Sequence, residues 1–189
     1  MKVVLASGSP RRKELLEMLG LEFDICPARG EEKAEPGLAP GELVKALSLA
    51  KAKEVASAYP GDTVVIAADT IVWAEGEVLG KPSDKADALR MLNMLSGKAH
   101  SVFTGICVIR GDTVLAEAEE TEVHFRKLDE AEIEAYVETG EPMDKAGAYG
   151  IQGKASVLIE GIKGDYFNVM GLPLCRLGEI LKTIGVQLL

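Results

Sequence analysis

The sequence predicts a mixed α/β (α+β) fold in which a β-sheet is flanked by helices. Short β-branched runs alternate with segments of helical period along the whole chain. Two long alternating segments, 100–109 and 113–126, meet at the turn signal Gly111-Asp112 and add an antiparallel pair to strands otherwise separated by helices. A length of 189 residues, 47% hydrophobic and 27% charged, suits one generous domain or two small lobes around a shared sheet.

Taken in order, residues 2–6 read as a strand and 10–19 as a helix, whose Leu15, Leu16 and Leu19 share a face before Gly20 stops it. A short strand at 22–27 follows. The polar, Gly- and Pro-rich stretch from Glu31 to Pro40 is a loop, and a helix runs from about Gly41 to Tyr59. Thr63 to Ala68 is a buried central strand, and Ile71 to Leu79 an edge hairpin turning at Glu75-Gly76-Glu77. Ser83 is placed to cap a helix from Asp84 to Leu95, which Ser96-Gly97 ends. After the antiparallel pair come an amphipathic helix from Asp129 to Thr139, a strand from Val157 to Glu160 and a helix from Leu172 to Ile184.

The formal net charge of −9 argues against broad nucleic-acid or anionic-membrane binding, which need a basic face. A small polyanion would need a local cluster of cations or a metal ion. No apolar run approaches a membrane span, and Met1 to Ala6 meets Ser7-Gly8-Ser9-Pro10 too early for a signal-peptide core. These features predict a cytoplasmic protein. Cys26, Cys107 and Cys175 are odd in number, scattered and set in hydrophobic segments, so buried inert thiols are expected rather than disulfides.

Four local features carry chemistry. In Leu5-Ala6-Ser7-Gly8-Ser9-Pro10-Arg11-Arg12 a strand ends, a loop of small residues follows, and Ser9 and Pro10 suit a helix start. Backbone N–H groups, Ser7, Ser9 and the forked donors of Arg11 and Arg12 could hold a phosphate there; the loop reads equally as a solvated basic first turn. The Gly-Lys-Ser/Thr ending of a Walker A loop is absent. Asp69, in Ala67-Ala68-Asp69-Thr70, follows a buried strand, where a catalytic acid or metal ligand belongs, or a turn aspartate. Glu31 and Glu32 are loop acids that, with Asp69, would give the oxygen ligands Mg²⁺ or Mn²⁺ prefers. Lys51 lies on a helix with apolar neighbours and Lys81 is pinned between Gly80 and Pro82; a solvated lysine is the alternative for either. Thr104-Gly105 and His100 are weaker signals, His100 reading as a hydrogen-bonded structural residue.

Together these residues resemble the Maf family. Ser-Gly-Ser-Pro-Arg-Arg, Glu32, Lys51 in Ala-Lys-Ala, Ala-Ala-Asp-Thr, Gly-Lys-Pro and His-Ser-Val-Phe-Thr-Gly match it in order and spacing. So do Asp144 to Gly153 and Gly164 to Pro173. The match covers essentially the whole chain as a single Maf-like domain, 1–189. It implies an elongated mixed sheet with two lobes and a cleft between them (a Maf/ITPase-like fold), a homodimer, and a divalent-metal-dependent nucleoside triphosphate pyrophosphatase. Carried over, Asp69 is the proton acceptor, Arg11, Arg12, Lys51 and Lys81 hold the triphosphate, and Glu32 joins Asp69 at the metal. Arg12, Thr70 and Gln152 match the branch that resembles dTTP/UTP pyrophosphatases, releasing the monophosphate and pyrophosphate in nucleotide-pool house-cleaning. The Gln152 amide could accept from N3–H and donate to O4 of uracil or thymine. Gly30-Glu31-Glu32 departs from the Val-Asp-Glu that many relatives carry, and Met170 replaces a common Val. The alternative function is a nucleotide-binding regulator of septum formation, acting through a partner.

Overall fold

The computed structural model describes residues 1–30, 37–59 and 61–189. In chain order the elements are β1 (Val3–Leu5), α1 (Pro10–Met18), β2 (Asp24–Ile25), α2 (Pro40–Ala56), β3 (Val64–Ala74) and β4 (Glu77–Leu79). There follow α3 (Lys85–Leu95), β5 (Ala99–Arg110), β6 (Thr113–Phe125), α4 (Glu130–Glu138), β7 (Ile159–Lys163), α5 (Tyr166–Met170) and α6 (Leu174–Thr183). Short 3₁₀ turns lie at Glu141–Asp144, Ala146–Ala148 and Gly153–Val157. The seven strands form one mixed sheet in the order β2-β1-β3-β5-β6-β7, with β4 on β3. β1 is parallel to both β2 and β3; β4 and β7 pair antiparallel with β3 and β6. β5 and β6 are joined through Gly111 and Asp112, a connection short enough to require an antiparallel pair.

The chain groups into two compact units. The first comprises Met1–Asp69, Thr104–Glu119 and Gly171–Leu189; the second comprises Thr70–Phe103 and Glu120–Met170. In the first, strand alternation places Val4, Ala6, Val65, Ala67, Cys107 and Ile109 in one core with Ala52 and Val55 of α2. Gly105, on β5, is what lets α2 settle there: a Cβ at this position would lie 2.1 Å from the Val44 carbonyl oxygen. In the second, α3 and α4 cover a core that includes Val72, Leu92, Val102, Phe125, Ile133 and Tyr149.

Several sequence expectations are corrected. β3 does not stop at Ala68 but runs through Asp69 to Ala74, so the candidate acid lies inside a strand. The low strand propensity of Asp suggests a break, but burial and pairing of the flanking apolar residues outweigh it. Asp84, not Ser83, caps α3, its carboxylate accepting from the Asp87 amide at 2.8 Å. Ser9 occupies the N-cap position of α1 without a side-chain capping bond. The last strand begins at Ile159; the expected final helix is α6, and a short helix that was not expected, α5, precedes it. Cys107 is buried, Cys26 is half-buried and Cys175 is exposed on the outer side of α6, all three as free thiols. Burial pushes the Cys107 thiol up to about 12. Among the described residues, no helix is long and apolar enough to cross a membrane.

Candidate active site

The face alternation that builds the first core also delivers the candidate acid. Val65, Ala67 and Asp69 lie two residues apart on β3 and therefore on the same face, under α2. Along α2, Lys51 is seven residues beyond Val44, two helical turns, and so returns to the side that rests on the sheet. Lys51 Nζ meets Asp69 Oδ1 at 2.5 Å, with side-chain exposures of 19% and 10%. β1 ends at Leu5, paired with Ile66, so Asp69 stands beyond the end of this parallel neighbour. The positional argument from strand ends therefore holds for β1, although β3 itself continues.

The loop after β1 forms a second constellation in the same unit. Arg12 Nε donates to the Gly171 carbonyl at 2.8 Å, and Arg12 Nη1 donates to Ser7 Oγ at 3.1 Å. Ser7 Oγ also accepts from the Ser9 amide at 3.3 Å. With both lone pairs engaged, the Ser7 hydroxyl keeps its proton for an outside acceptor. Ser7 is buried; Ser9, Arg11 and Arg12 are partly exposed. The Gly171 carbonyl is a contribution that residue-type reasoning missed. Its available signal was the glycine of Gly171-Leu172-Pro173, whose φ of 111° favours glycine.

Thr70, Lys81 and Gln152 belong to the second unit. Thr70 is partly exposed; Lys81 and Gln152 are exposed. Gln152 precedes the 3₁₀ turn Gly153–Val157 and its side chain makes no capping bond. Glu31 and Glu32 lie outside the described residues. His100 is a structural residue, as expected: it is buried, and its Nε2 shares a 2.7 Å hydrogen bond with the Tyr149 hydroxyl.

Among the described residues, no three His, Cys, Asp or Glu side chains gather as a metal cage. The donor set nonetheless suits Mg²⁺ or Mn²⁺ carried in with a polyphosphate, because such ions use one or two carboxylates, substrate oxygens and water. Lys51 engages Asp69 Oδ1, and Oδ2 accepts no hydrogen bond among the described residues.

The fold is shared with a HAM1 protein from Coxiella burnetii, with a TM-score of 0.52 at 16% identity over 97% of this chain and 99% of that one. The family model described as Maf-like protein matches residues 2–184, and the chain belongs to the Maf family. Curated relatives are similar over nearly their whole length. A protein of Symbiobacterium thermophilum named dTTP/UTP pyrophosphatase is 52% identical, over 97% of this chain and 94% of its own. One of Moorella thermoacetica with the same name is 53% identical, over 98% and 96%.

Proposed function

We propose that this chain hydrolyses dTTP and UTP to the monophosphate and pyrophosphate. The observation that carries the reading is the Lys51–Asp69 pair: a half-buried cation of α2 closed on a buried carboxylate of β3. The names of relatives about half identical to this chain support the substrate class.

In this reading Asp69 accepts the proton of the attacking water, which adds at the α-phosphorus and expels pyrophosphate. Charge accumulates on the non-bridging oxygens and on the leaving group. Catalysis is therefore largely electrostatic, supplied by Arg11, Arg12, Lys51 and Lys81. Ser7 and Ser9 line the phosphate loop, with the Ser7 hydroxyl donating to a phosphate oxygen. Asp69 and Glu32 would hold Mg²⁺ or Mn²⁺, which neutralises phosphate charge when bound. Arg12, Thr70 and Gln152 set the preference for a pyrimidine. The chain acts as a single Maf-like domain, 1–189, in a cytoplasmic homodimer with a house-cleaning role.

The test is product identification after incubating the purified protein with a nucleoside triphosphate panel and Mg²⁺ or Mn²⁺. Pyrophosphate with UMP or dTMP supports the reading; orthophosphate with a diphosphate, or no turnover, overturns it. Gln152→Glu should lower kcat/KM for UTP and dTTP about tenfold or more, with smaller losses for other triphosphates. A uniform loss would remove Gln152 from base recognition.

A further inference from the structure

Gln152, the proposed reader of the base, is exposed and stands at the N-cap position of the 3₁₀ turn Gly153–Val157. Its backbone is extended, with φ −87° and ψ 165°, and its side chain makes no capping bond. The first amides of a helical turn have no partner within it, and the N-cap side chain ordinarily accepts from them. Here another residue does so. Glu141 Oε2 accepts from the Lys154 amide at 3.1 Å, and Glu141 Oε1 from the Ala155 amide at 3.4 Å. Bonds from amides to a carboxylate are stronger than those between neutral groups, and two of them fix a backbone in direction as well as position.

The carboxylate is in turn held from α4. Buried Tyr136 donates its hydroxyl to Glu141 Oε1 at 3.1 Å, and the backbone of Gly150 hydrogen-bonds the same hydroxyl. The Glu141 amide donates to Thr139 Oγ1 at 3.2 Å, and that hydroxyl donates to the Tyr136 carbonyl at 2.6 Å. The chain is therefore tied on both sides of Gln152, at Gly150 before it and at Lys154 and Ala155 after it. Gly153 makes room for the arrangement. Its φ of 76° is left-handed, and a Cβ there would lie 2.9 Å from Glu141 Oε1 and 3.0 Å from Oε2. All of these residues belong to the second unit.

We propose that Glu141 is a positioning residue for base recognition: by capping the turn it fixes the backbone beneath Gln152 and leaves the Gln152 amide to meet the pyrimidine edge. The inference rests on the reading in which Gln152 recognises uracil or thymine. An amide tells one base edge from another only when its donor and acceptor are presented in the right order, so the direction of its backbone is part of specificity. A Gln152 side chain engaged in capping would have its acceptor oxygen on Lys154 or Ala155 instead. Glu141 removes that competition.

The test compares Glu141→Ala, Glu141→Gln, Gln152→Ala and the double variant Glu141→Ala/Gln152→Ala in the full chain, with UTP, dTTP, CTP, ATP and GTP as substrates. Amide hydrogen exchange at Lys154 and Ala155 reads the tie itself. Glu141→Ala should speed both exchanges and lower kcat/KM for UTP and dTTP about fivefold, through KM, with kcat within about twofold of wild type. Losses for the other triphosphates should be smaller, so the preference for UTP and dTTP narrows. Glu141→Gln, which keeps one acceptor oxygen without the charge, should fall between Glu141→Ala and wild type. Because Glu141 acts through Gln152, the double variant should be no less selective than Gln152→Ala alone. A carboxylate that only stabilises the fold would lower every substrate alike and add to the effect of Gln152→Ala. Unchanged exchange in Glu141→Ala overturns the tie. Unchanged or uniformly lowered kinetics in Glu141→Ala, where Gln152→Ala does narrow the preference, overturns the positioning role and leaves base recognition by Gln152 standing. A preference narrowed by neither variant overturns the two together. Should Glu141→Ala fail to fold, the cycle of Glu141→Gln with Gln152→Ala decides by the same criteria.

Discussion

Each unit buries a polar pair, and the two pairs are built differently. In the first, Lys51 and Asp69 meet as opposite charges, each retaining some exposure. In the second, His100 and Tyr149 meet as a hydrogen-bonded aromatic pair, packed edge-on with Phe125 at ring separations of 4.8 to 5.3 Å. Burial drives His100 down to about 4, so it is neutral near pH 7, and pushes the Tyr149 hydroxyl up. A buried charge is costly to keep and is retained where it has a task; a neutral pair is cheaper and serves packing. The contrast agrees with the proposal that the first pair is chemical and the second architectural.

The largest expected effect is on Asp69→Asn. It removes the proposed proton acceptor but keeps shape and volume, so kcat should fall about a thousandfold. Lys51 is long enough to turn toward solvent, and the melting temperature should stay within a few degrees of wild type. Near-normal turnover would dissolve the distinction between the pairs. Lys51→Met should lose turnover and stability together. It leaves a carboxylate that is only 7% exposed without its cation, at a cost of about 2 kcal/mol after discounting for the exposure of the pair. Denaturant unfolding and steady-state rates check this, and stability unchanged from wild type would count against the pair as a structural charge couple.

The next effect belongs to the second pair and is one of pH. The folded-state value of His100 is depressed, from 6.5 to about 4. Between those values the unfolded chain binds more protons than the folded one, so stability falls as pH falls through this window. The contribution is fully present above pH 6.5 and amounts to about 3 kcal/mol lost by pH 4. Urea unfolding between pH 4 and 7 should show the slope, and His100→Phe should flatten it. An equal slope in that variant would place the acid sensitivity elsewhere.

Much of this contrast was legible in the sequence, though unevenly. The loop from Ser7 to Arg12, the acid Asp69 and the lysine on α2 were recognisable by residue type and neighbours. Their mutual arrangement was not, because Lys51 and Asp69 are joined by helix-on-sheet packing rather than by any local pattern. Asp69 was misplaced to a strand end because local propensity was weighed without the pairing that carries β3 through it. Gly105 looked weak because the backbone it accommodates, at Val44, is distant in sequence. Cys175 was expected inside because its neighbours are apolar, yet α6 turns only one face inward and Cys175 lies on the other. The Gly171 carbonyl had no side chain to signal its role.

The smallest expected effect gives the comparison its sharpest form. Tyr149→Phe removes one hydroxyl from a packed aromatic cluster and leaves the rings in place. His100 Nδ1 already has no partner, so the variant would leave both ring nitrogens unbonded in a buried site. The expected cost is about 1 to 2 kcal/mol with kcat unchanged. Replacing both residues, as His100→Phe/Tyr149→Phe, removes the unpaired nitrogens as well and should recover part of that loss in a double-mutant cycle. A polar pair whose function is packing tolerates joint replacement by apolar rings, whereas no apolar substitution of Lys51 and Asp69 together can preserve turnover. If the double variant is active but well below wild type in stability, the His100–Tyr149 pair contributes net stability beyond mutual satisfaction. If it loses turnover, the second unit's pair is chemical after all.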